Sequence, residues 1–187
     1  MKRHIISIAG ELASGKGAAS TVLMKKLNYG IYRNGEYFRS LAKEMNMDIT
    51  TFNKYVEKHP EIDRQVEKSA AEYAKNNDFF IIDARLGWYA VPESFKVYLT
   101  VNIEEAARRA FNDEKRKSTE NFATIEEQKK DLIRRYNLEN ERYFKLYNVR
   151  KEDLSNYDLV LDTTTKTPEE VAEIIKDEYE KWLKEGV

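Results

Sequence analysis

The chain has 187 residues and is 41% hydrophobic and 35% charged, so it can fill one compact core and still present a strongly charged surface. Its 32 Lys and Arg against 33 Asp and Glu give a net charge of -1, which argues against bulk electrostatic binding of nucleic acid. The absence of cysteine excludes a disulfide scaffold and Cys-ligated zinc, and the 2 His are far apart, which argues against a His-rich metal site. No apolar run approaches the roughly 18 residues of a membrane span. The first apolar stretch does not fit a signal peptide, so we expect a cytoplasmic protein without membrane or nucleic-acid partners.

Short apolar runs rich in β-branched side chains alternate along the chain with apolar residues at helical spacing. The first strand is predicted at residues 4–9, directly before a loop over 10–17 and a helix. Thr167 as N-cap and Pro168 at the first helical position begin the last helix. Between these ends we predict strands at 29–32, 78–83, 96–101 and 157–162, and helices at 38–59, interrupted near 47–48, and at 62–74.

This alternation predicts an α/β fold in which a parallel sheet is covered by helices on both faces. Two stretches, residues 36–76 and 104–147, are helical without an intervening strand. We interpret them as two helical excursions from the edge of the sheet, one of them a candidate mobile lid.

The loop after the first strand matches the P-loop pattern G-x-x-x-x-G-K at residues 10–16. Glycines let the backbone turn tightly so that its N–H groups point at phosphate oxygens, and the next helix adds the positive end of its dipole. Lys16 would reach the β- and γ-phosphates of a nucleotide. An incidental glycine-rich turn is the alternative interpretation. The predicted nucleotide-binding residues are Gly10, Ala13, Ser14, Gly15, Lys16, Gly17 and Ala18.

The two positions after Lys16 lack the hydroxyl of the general P-loop pattern. Gly17 stands where a Ser or Thr would ligate Mg²⁺, and Ala18 supplies no hydroxyl either. A glycine at this position is typical of nucleoside monophosphate kinases, in which the metal is held mainly by the nucleotide and by water.

Four further segments are distinctive. They are Gly-Glu-Tyr-Phe-Arg at 35–39 with Leu-Ala at 41–42, Pro-Glu-Ile-Asp-Arg at 60–64, Asp-Ala-Arg-Leu-Gly-Trp at 83–88, and Arg142 and Tyr143 with Tyr147 and the run at 154–160. Together with the P-loop they resemble the cytidylate kinase family, in the short form common in archaea and some bacteria. The resemblance covers nearly the whole chain.

The resemblance implies a three-layer P-loop NTPase fold, with a five-stranded parallel sheet, in a single domain over residues 1–187. The core would comprise residues 1–33, 78–107 and 148–187, the helices that bind the nucleoside monophosphate 34–77, and the lid 108–147. It also implies transfer of a phosphoryl group from ATP to CMP with Mg²⁺. We expect dCMP to be a substrate as well and the protein to be a monomer.

The sequence departs from the usual pattern of that family at several places. Ala18 follows the G-K-G where Thr or Ser is usual, and Arg33 stands where Ser or Thr usually precedes the G-E-x-F-R segment. The family's E-G-R reads Asp-Ala-Arg at 83–85, its Y-G-I-D reads Tyr-Asn-Val-Arg at 147–150, and the lid segment over 113–121 has no clean match. These departures bear on turnover rate and substrate more than on the class of protein.

Phosphoryl transfer between two anionic nucleotides requires cations around the bridging phosphates. By resemblance, Arg39 and Arg85 hold the phosphate of CMP, a task that suits the forked donors of a guanidinium. Arg135 and Arg142 are two helical turns apart and share a helix face, and by resemblance they lie in the lid over the transferring group. The alternatives are a surface position for Arg39, a salt bridge for Arg85 and a solvated helix face for the lid pair. Weaker candidates are Arg108, Arg109 and Arg116.

Several other residues complete the predicted site. Asp83 ends an apolar strand, where a carboxylate needs a partner, and we expect it to orient Mg²⁺ through water unless it caps a helix. Asp63 and Arg64 are the candidates for reading the edge of cytosine, by analogy with base recognition in DNA. Gly35 and Trp88 are the remaining predicted substrate-binding residues, although Trp88 suits the core equally well.

Two other functions stay open from the sequence. A P-loop kinase of this kind could act on UMP, AMP or a non-nucleotide acceptor, and a panel of substrates would separate these from CMP. A nucleotide-binding regulator without turnover would account for Ala18, Arg33 and the irregular lid segment. Binding of ATP and CMP without formation of CDP would favour that regulator.

Overall fold

The computed structural model describes residues 2–56, 58–114 and 122–185, and within them the strands form one parallel sheet of five. The spatial order is β2-β3-β1-β4-β5, so the first strand of the chain lies in the centre. This arrangement confirms the predicted parallel sheet. The strands are β1 (Ile5–Gly10), β2 (Gly30–Arg33), β3 (Phe80–Asp83), β4 (Phe95–Thr100) and β5 (Leu159–Asp162).

Helices connect the strands and cover the sheet. The last of them begins with a capping box, in which the Thr167 side chain accepts from the Glu170 amide and the Glu170 carboxylate accepts from the Thr167 amide, as the sequence predicted for its N-cap. In chain order the helices are α1 (Lys16–Leu27), α2 (Asn34–Glu44), α3 (Ile49–Val56), α4 (Pro60–Asn76), α5 (Gly87–Ala90), α6 (Ile103–Asn112), α7 (Ile125–Tyr147) and α8 (Pro168–Lys184), with a 3-10 turn at Leu154–Asn156.

The sheet has an apolar core on each face, which makes the fold three-layered. Every residue of β1 and β3 is buried, as expected for central parallel strands. Because side chains alternate along a strand, Ile6 and Ile8 pack on one face with α1 and α8, whereas Ile5 packs on the other with Ala70 and Ala74 of α4. The two faces therefore fix the helices around a rigid sheet whose carboxyl edge is left for a ligand.

Three local features differ from the expectations. The strand predicted at 78–83 begins at Phe80, because Phe79 has φ 57°, a left-handed conformation that cannot continue a strand. The short helix α5 was not predicted, since four residues carry no measurable helical periodicity. The helices of the first excursion also begin earlier than expected, at Asn34 and at Pro60.

Each helical excursion has an apolar cluster of its own. Helices α2, α3 and α4 share one that includes Leu41, Phe52 and Val66. Helices α6 and α7 pack together through Ala106 and Leu132. Within the described residues none of the helices combines the length and apolar character needed to cross a bilayer.

Candidate active site

The loop between β1 and α1 borders a cavity of about 640 Å³, here called the phosphate-loop cavity. Gly15 has φ 80°, which glycine adopts without strain, and a side chain at Gly10 would come within 2.8 Å of the Leu99 carbonyl oxygen. Helix α1 has no side-chain N-cap, so its first amides are left for an anion. The cavity is lined by all the predicted nucleotide-binding residues: Gly10, Ala13, Ser14, Gly15, Lys16, Gly17 and Ala18.

A second cavity of about 510 Å³, here called the arginine cavity, adjoins the first. Lys16 and Arg85 line both cavities, so the two spaces meet at these cations. Such a junction is where two phosphate groups in separate cavities would come together. The arginine cavity also brings together the predicted residues Gly35, Arg39, Asp63, Asp83, Arg135 and Arg142, and it adds Arg33, Asn34, Glu67 and Tyr143.

Asp83 lies at the junction with a cation on each carboxylate oxygen. Oδ1 accepts from the Lys16 ammonium, and Oδ2 lies 3.7 Å from Nε of Arg33. Because the Asp83 side chain is only 8% exposed, these two cations offset the cost of burying its carboxylate. Arg33, which the sequence analysis noted only as a departure, is therefore part of the site.

Arg85 is held by a carboxylate from helix α7. Its Nε lies 2.6 Å from Oε2 of Glu139, and the buried Lys151 ammonium lies 2.5 Å from Oε1 of the same residue. Burial raises the pKa of Glu139, but the positive charges of Arg85 and Lys151 outweigh it and hold that pKa below its usual value. Glu139 is thus a charged bridge between α7 and the carboxyl edge of the sheet.

The two arginines of α7 reach the arginine cavity from the same helix face, as their spacing predicted. Nη2 of Arg142 lies 3.8 Å from Oδ1 of Asp63 on α4, and Nη1 of Arg135 lies 3.7 Å from Oδ2 of Asp131. Burial raises the pKa of Asp63, and Arg142 opposes that effect. The contact between Arg142 and Asp63 joins the two helical excursions across the cavity.

A partly buried polar pair lies on the α2–α4 side of the arginine cavity. Nδ2 of Asn34 donates to Oε2 of Glu67 at 3.2 Å, and Oδ1 of Asn34 has no partner. Burial raises the pKa of the Glu67 carboxyl to about 7, while the hydrogen bond from Asn34 acts in the opposite direction. This cavity therefore contains a carboxyl that titrates near neutral pH.

The other predicted residues lie elsewhere. Trp88 is not among the residues that line either cavity, and its ring packs against Tyr157 at a centroid distance of 5.8 Å. Arg64 is exposed and lies outside the lining of the arginine cavity.

The three weaker arginine candidates differ in position. Arg109 borders the phosphate-loop cavity and donates to the Thr163 carbonyl oxygen at 2.7 Å. Arg108 is exposed and paired with Glu105 at 2.7 Å, and Arg116 lies outside the described residues.

Four residues of the arginine cavity and its surroundings were missed by sequence reasoning, although three of them carried weak signals. Arg33 ends a strand at the carboxyl edge, where ligands bind in parallel sheets. Glu67 is one helical turn after Asp63, and Glu139 is one turn after Arg135, so each shares a face with a predicted residue. Asn34 carried no signal beyond its position next to Arg33.

The carboxylates of the site do not form a metal cage. Within the described residues no group of three or more His, Cys, Asp or Glu side chains could hold a metal ion. Asp83 contacts Lys16 at the junction of the cavities and lies next to Gly17, where an added side chain would lie 3.9 Å from its Oδ2. One carboxylate beside a phosphate site suits Mg²⁺, which keeps several waters and takes oxygens from phosphates.

The parallel sheet, the phosphate loop and the junction of cations define a P-loop kinase. The fold is similar to shikimate kinase from Acinetobacter baumannii in complex with shikimate, with a TM-score of 0.60 and 15% identity over 94% of this chain and 92% of that one. It is also similar to a protein of Eubacterium ventriosum, with a TM-score of 0.71 and 14% identity over 96% of this chain and 99% of that one. At these identities the similarity concerns the fold alone.

Sequence comparison places the chain more narrowly. Residues 5–165 match the cytidylate kinase-like family. The chain is 34% identical over 187 residues to cytidylate kinase of Thermoplasma volcanium, covering 97% of this chain and 94% of that protein. It is 35% identical over 176 residues to cytidylate kinase of Pyrococcus horikoshii, covering 92% of this chain and 86% of that protein. The protein belongs to the cytidylate kinase-like family.

Proposed function

We propose that this protein transfers the γ-phosphoryl group of ATP to CMP and releases ADP and CDP. One observation carries the proposal: a phosphate-loop cavity and an arginine cavity meet at Lys16 and Arg85, in a chain of the cytidylate kinase-like family. Two anionic substrates need two cation-lined spaces with a shared boundary, because the phosphoryl group must pass from one to the other.

ATP would occupy the phosphate-loop cavity, with its phosphates on the amides of the loop and on Lys16. The phosphate of CMP would bind Arg39 and Arg85 in the arginine cavity. Arg39 has no ion-pair partner among the described residues, so its guanidinium is available for an anion. Asp63 and Glu67 face the same cavity and offer carboxyl groups to the polar atoms of the nucleoside, with Arg64 at its exposed margin.

The reaction needs no nucleophilic side chain. A phosphate oxygen of CMP attacks the γ-phosphorus in line with the leaving ADP oxygen, and the protein positions the groups and balances their charge. Lys16, Arg85, Arg135 and Arg142 converge on the arginine cavity and would stabilise the charge that develops on the transferring group. Mg²⁺ would be held by the nucleotide, by water and indirectly by Asp83, and would neutralise the β- and γ-phosphate oxygens.

Helix α7 supplies both Arg135 and Arg142, so its placement decides when the site is complete. We expect the part of α7 that precedes Glu139, which carries Arg135, to close over the bound nucleotides, whereas Arg142 follows Glu139 and lies beside Asp63. Closure would exclude water, which otherwise competes with CMP for the phosphoryl group.

A coupled assay with ATP, Mg²⁺ and one acceptor at a time tests the proposal. The expected result is formation of CDP from CMP, with dCMP also accepted, at a kcat/KM at least tenfold above that for UMP and AMP. Shikimate serves as the control for the structural neighbours that share only the fold. Turnover of UMP, AMP or shikimate in preference to CMP would contradict the acceptor, and binding of ATP and CMP without any CDP would contradict the reaction.

A further inference from the structure

Arg33 is fixed from three sides at the carboxyl edge of the sheet. It ends β2 and is aligned with Asp83, which ends β3. Its Nε lies 3.7 Å from Oδ2 of Asp83, its Nη2 donates to Oγ1 of Thr21 at 2.8 Å, and its Nη1 donates to Oε1 of Glu36 at 3.3 Å. Two nitrogens of the guanidinium therefore have hydrogen-bond acceptors and the third lies beside a carboxylate, although the side chain lines the arginine cavity.

Arg33 and Lys16 compensate the same buried carboxylate. Lys16 donates to Oδ1 of Asp83, and Arg33 lies beside Oδ2. Lys16 is the only one of the two that also lines the phosphate-loop cavity. When its ammonium turns to the phosphates of a nucleotide, it gives up part of its interaction with Asp83, which then depends on its second cation.

This dependence is energetically important because Asp83 is almost fully buried, with 8% of its side chain exposed. A buried carboxylate that loses its only cation is strongly destabilised. With Arg33 in place the charge of Asp83 stays balanced, and Lys16 can move at low cost. Without Arg33, a nucleotide that draws Lys16 away would leave Asp83 with no cationic partner among the described residues.

We infer that Arg33 is a positioning residue that keeps Asp83 compensated while Lys16 binds the phosphates of the nucleotide. Arg33 acts through Asp83 rather than on either substrate. The inference rests on the proposed function only in taking ATP as that nucleotide, and it does not depend on which acceptor is phosphorylated.

A double-mutant cycle between Arg33 and Asp83 tests this coupling. The dissociation constant for ATP is measured by titration calorimetry without acceptor and with EDTA, so that no metal acts through Asp83. Arg33→Met should weaken ATP binding about tenfold, as expected for loss of a buried charge partner. In a protein that already carries Asp83→Asn, adding Arg33→Met should change the ATP affinity by less than about threefold, because an amide needs no cation.

Matched variants separate the effect of the charge of Arg33 from a general effect of the substitution on the structure. Arg33→Lys should recover most of the ATP affinity, and Arg134→Met, which removes an exposed arginine that lines neither cavity, should leave the ATP affinity unchanged. If Arg33→Met does not fold, Arg33→Gln keeps an amide donor for Thr21 and serves in the same cycle.

Two results would overturn the inference. Equal loss of ATP affinity with and without Asp83→Asn would show that Arg33 does not act through Asp83. Loss of CMP affinity with unchanged ATP affinity would make Arg33 an acceptor ligand instead. Failure of the acceptor assay in the unmodified protein would contradict the proposed function but leave the ATP cycle interpretable, so the two proposals fail separately.

Discussion

Arg85 and Glu139 join the carboxyl edge of the sheet to helix α7, with 2.6 Å between Nε of Arg85 and Oε2 of Glu139. Lys151, which is only 1% exposed, contacts the other oxygen of Glu139 and extends the bridge to the segment after α7. This bridge opposes movement of α7 as a whole. Within the lid predicted over residues 108–147, we therefore expect the part that precedes Glu139 to move most.

The first prediction concerns that bridge. Lys151→Met should destabilise the protein by about 3 kcal/mol, since it removes one cation from a buried carboxylate. The free energy of unfolding in urea measures the effect. Lys176→Met is the control, because Lys176 pairs with Glu173 at a partly exposed site where solvent screening makes such contacts weak. Equal losses of unfolding free energy in the two variants would show that the buried bridge stabilises the protein no more than the pair at Lys176 does.

The second prediction concerns Lys16. Lys16→Met should leave the fold intact and abolish phosphoryl transfer, because no other cation of the phosphate loop lies at the β,γ bridge. Turnover is measured in the coupled assay and folding by the far-ultraviolet circular dichroism spectrum. Lys26→Met, at the other end of α1 and paired with Glu173 at 2.5 Å, should behave like the unmodified protein. Near-normal turnover of folded Lys16→Met would refute the phosphate-loop assignment.

The third prediction separates the two binding cavities. Arg39→Ala should weaken CMP binding ten- to a hundredfold, as expected for a charge-assisted contact of roughly 1.5–3 kcal/mol. ATP binding should be unchanged, because Arg39 lines the arginine cavity and not the phosphate-loop cavity. Lys43→Ala, an exposed position on the same helix, is the control. A parallel loss of ATP affinity in Arg39→Ala would contradict two separate sites.

The fourth prediction concerns the arginines of α7. Arg135→Ala and Arg142→Ala should each lower kcat about a hundredfold, on the order of 3 kcal/mol of transition-state stabilisation, with both nucleotide affinities nearly unchanged. Arg134→Ala is the control, because Arg134 also pairs with Asp131 but is largely exposed and does not line the arginine cavity. An unchanged kcat in both variants would move the catalytic role to Arg109, which borders the phosphate-loop cavity.

The fifth prediction follows from Glu67, whose pKa burial raises from 4.5 to about 7. Between these two values the folded protein binds more protons than the unfolded chain, so stability should fall as pH rises, by at most about 1.4 kcal/mol per pH unit. The stability that protonated Glu67 contributes is fully present below pH 4.5 and is lost as the pH rises through about 7. Unfolding in urea at several pH values measures it. Glu67→Gln should flatten this slope, and an identical slope in that variant would assign the titration to another group.

Much of the fold could be predicted from the sequence, because its signals are local. The apolar runs of β1 and β3 are strands buried on both faces, which need no tertiary context to be recognised. The phosphate loop is likewise contiguous, so the spacing of Gly10, Gly15 and Lys16 was enough to assign the residues that line its cavity. By contrast, the left-handed Phe79 and the short helix α5 have no such pattern, and both were missed.

The partners of the charged residues were decided only by the tertiary structure. In a chain that is 35% charged, an arginine on a helix face fits a solvated surface as well as an active site. The contacts of Arg33 with Asp83, of Arg85 with Glu139 and of Glu139 with Lys151 join residues from different elements. Periodicity describes which face a residue occupies within its own element, but it contains no information about which element packs against that face. Sheet order and helix packing supply that information, because they alone bring distant charges within the few ångströms at which burial makes a pair strong.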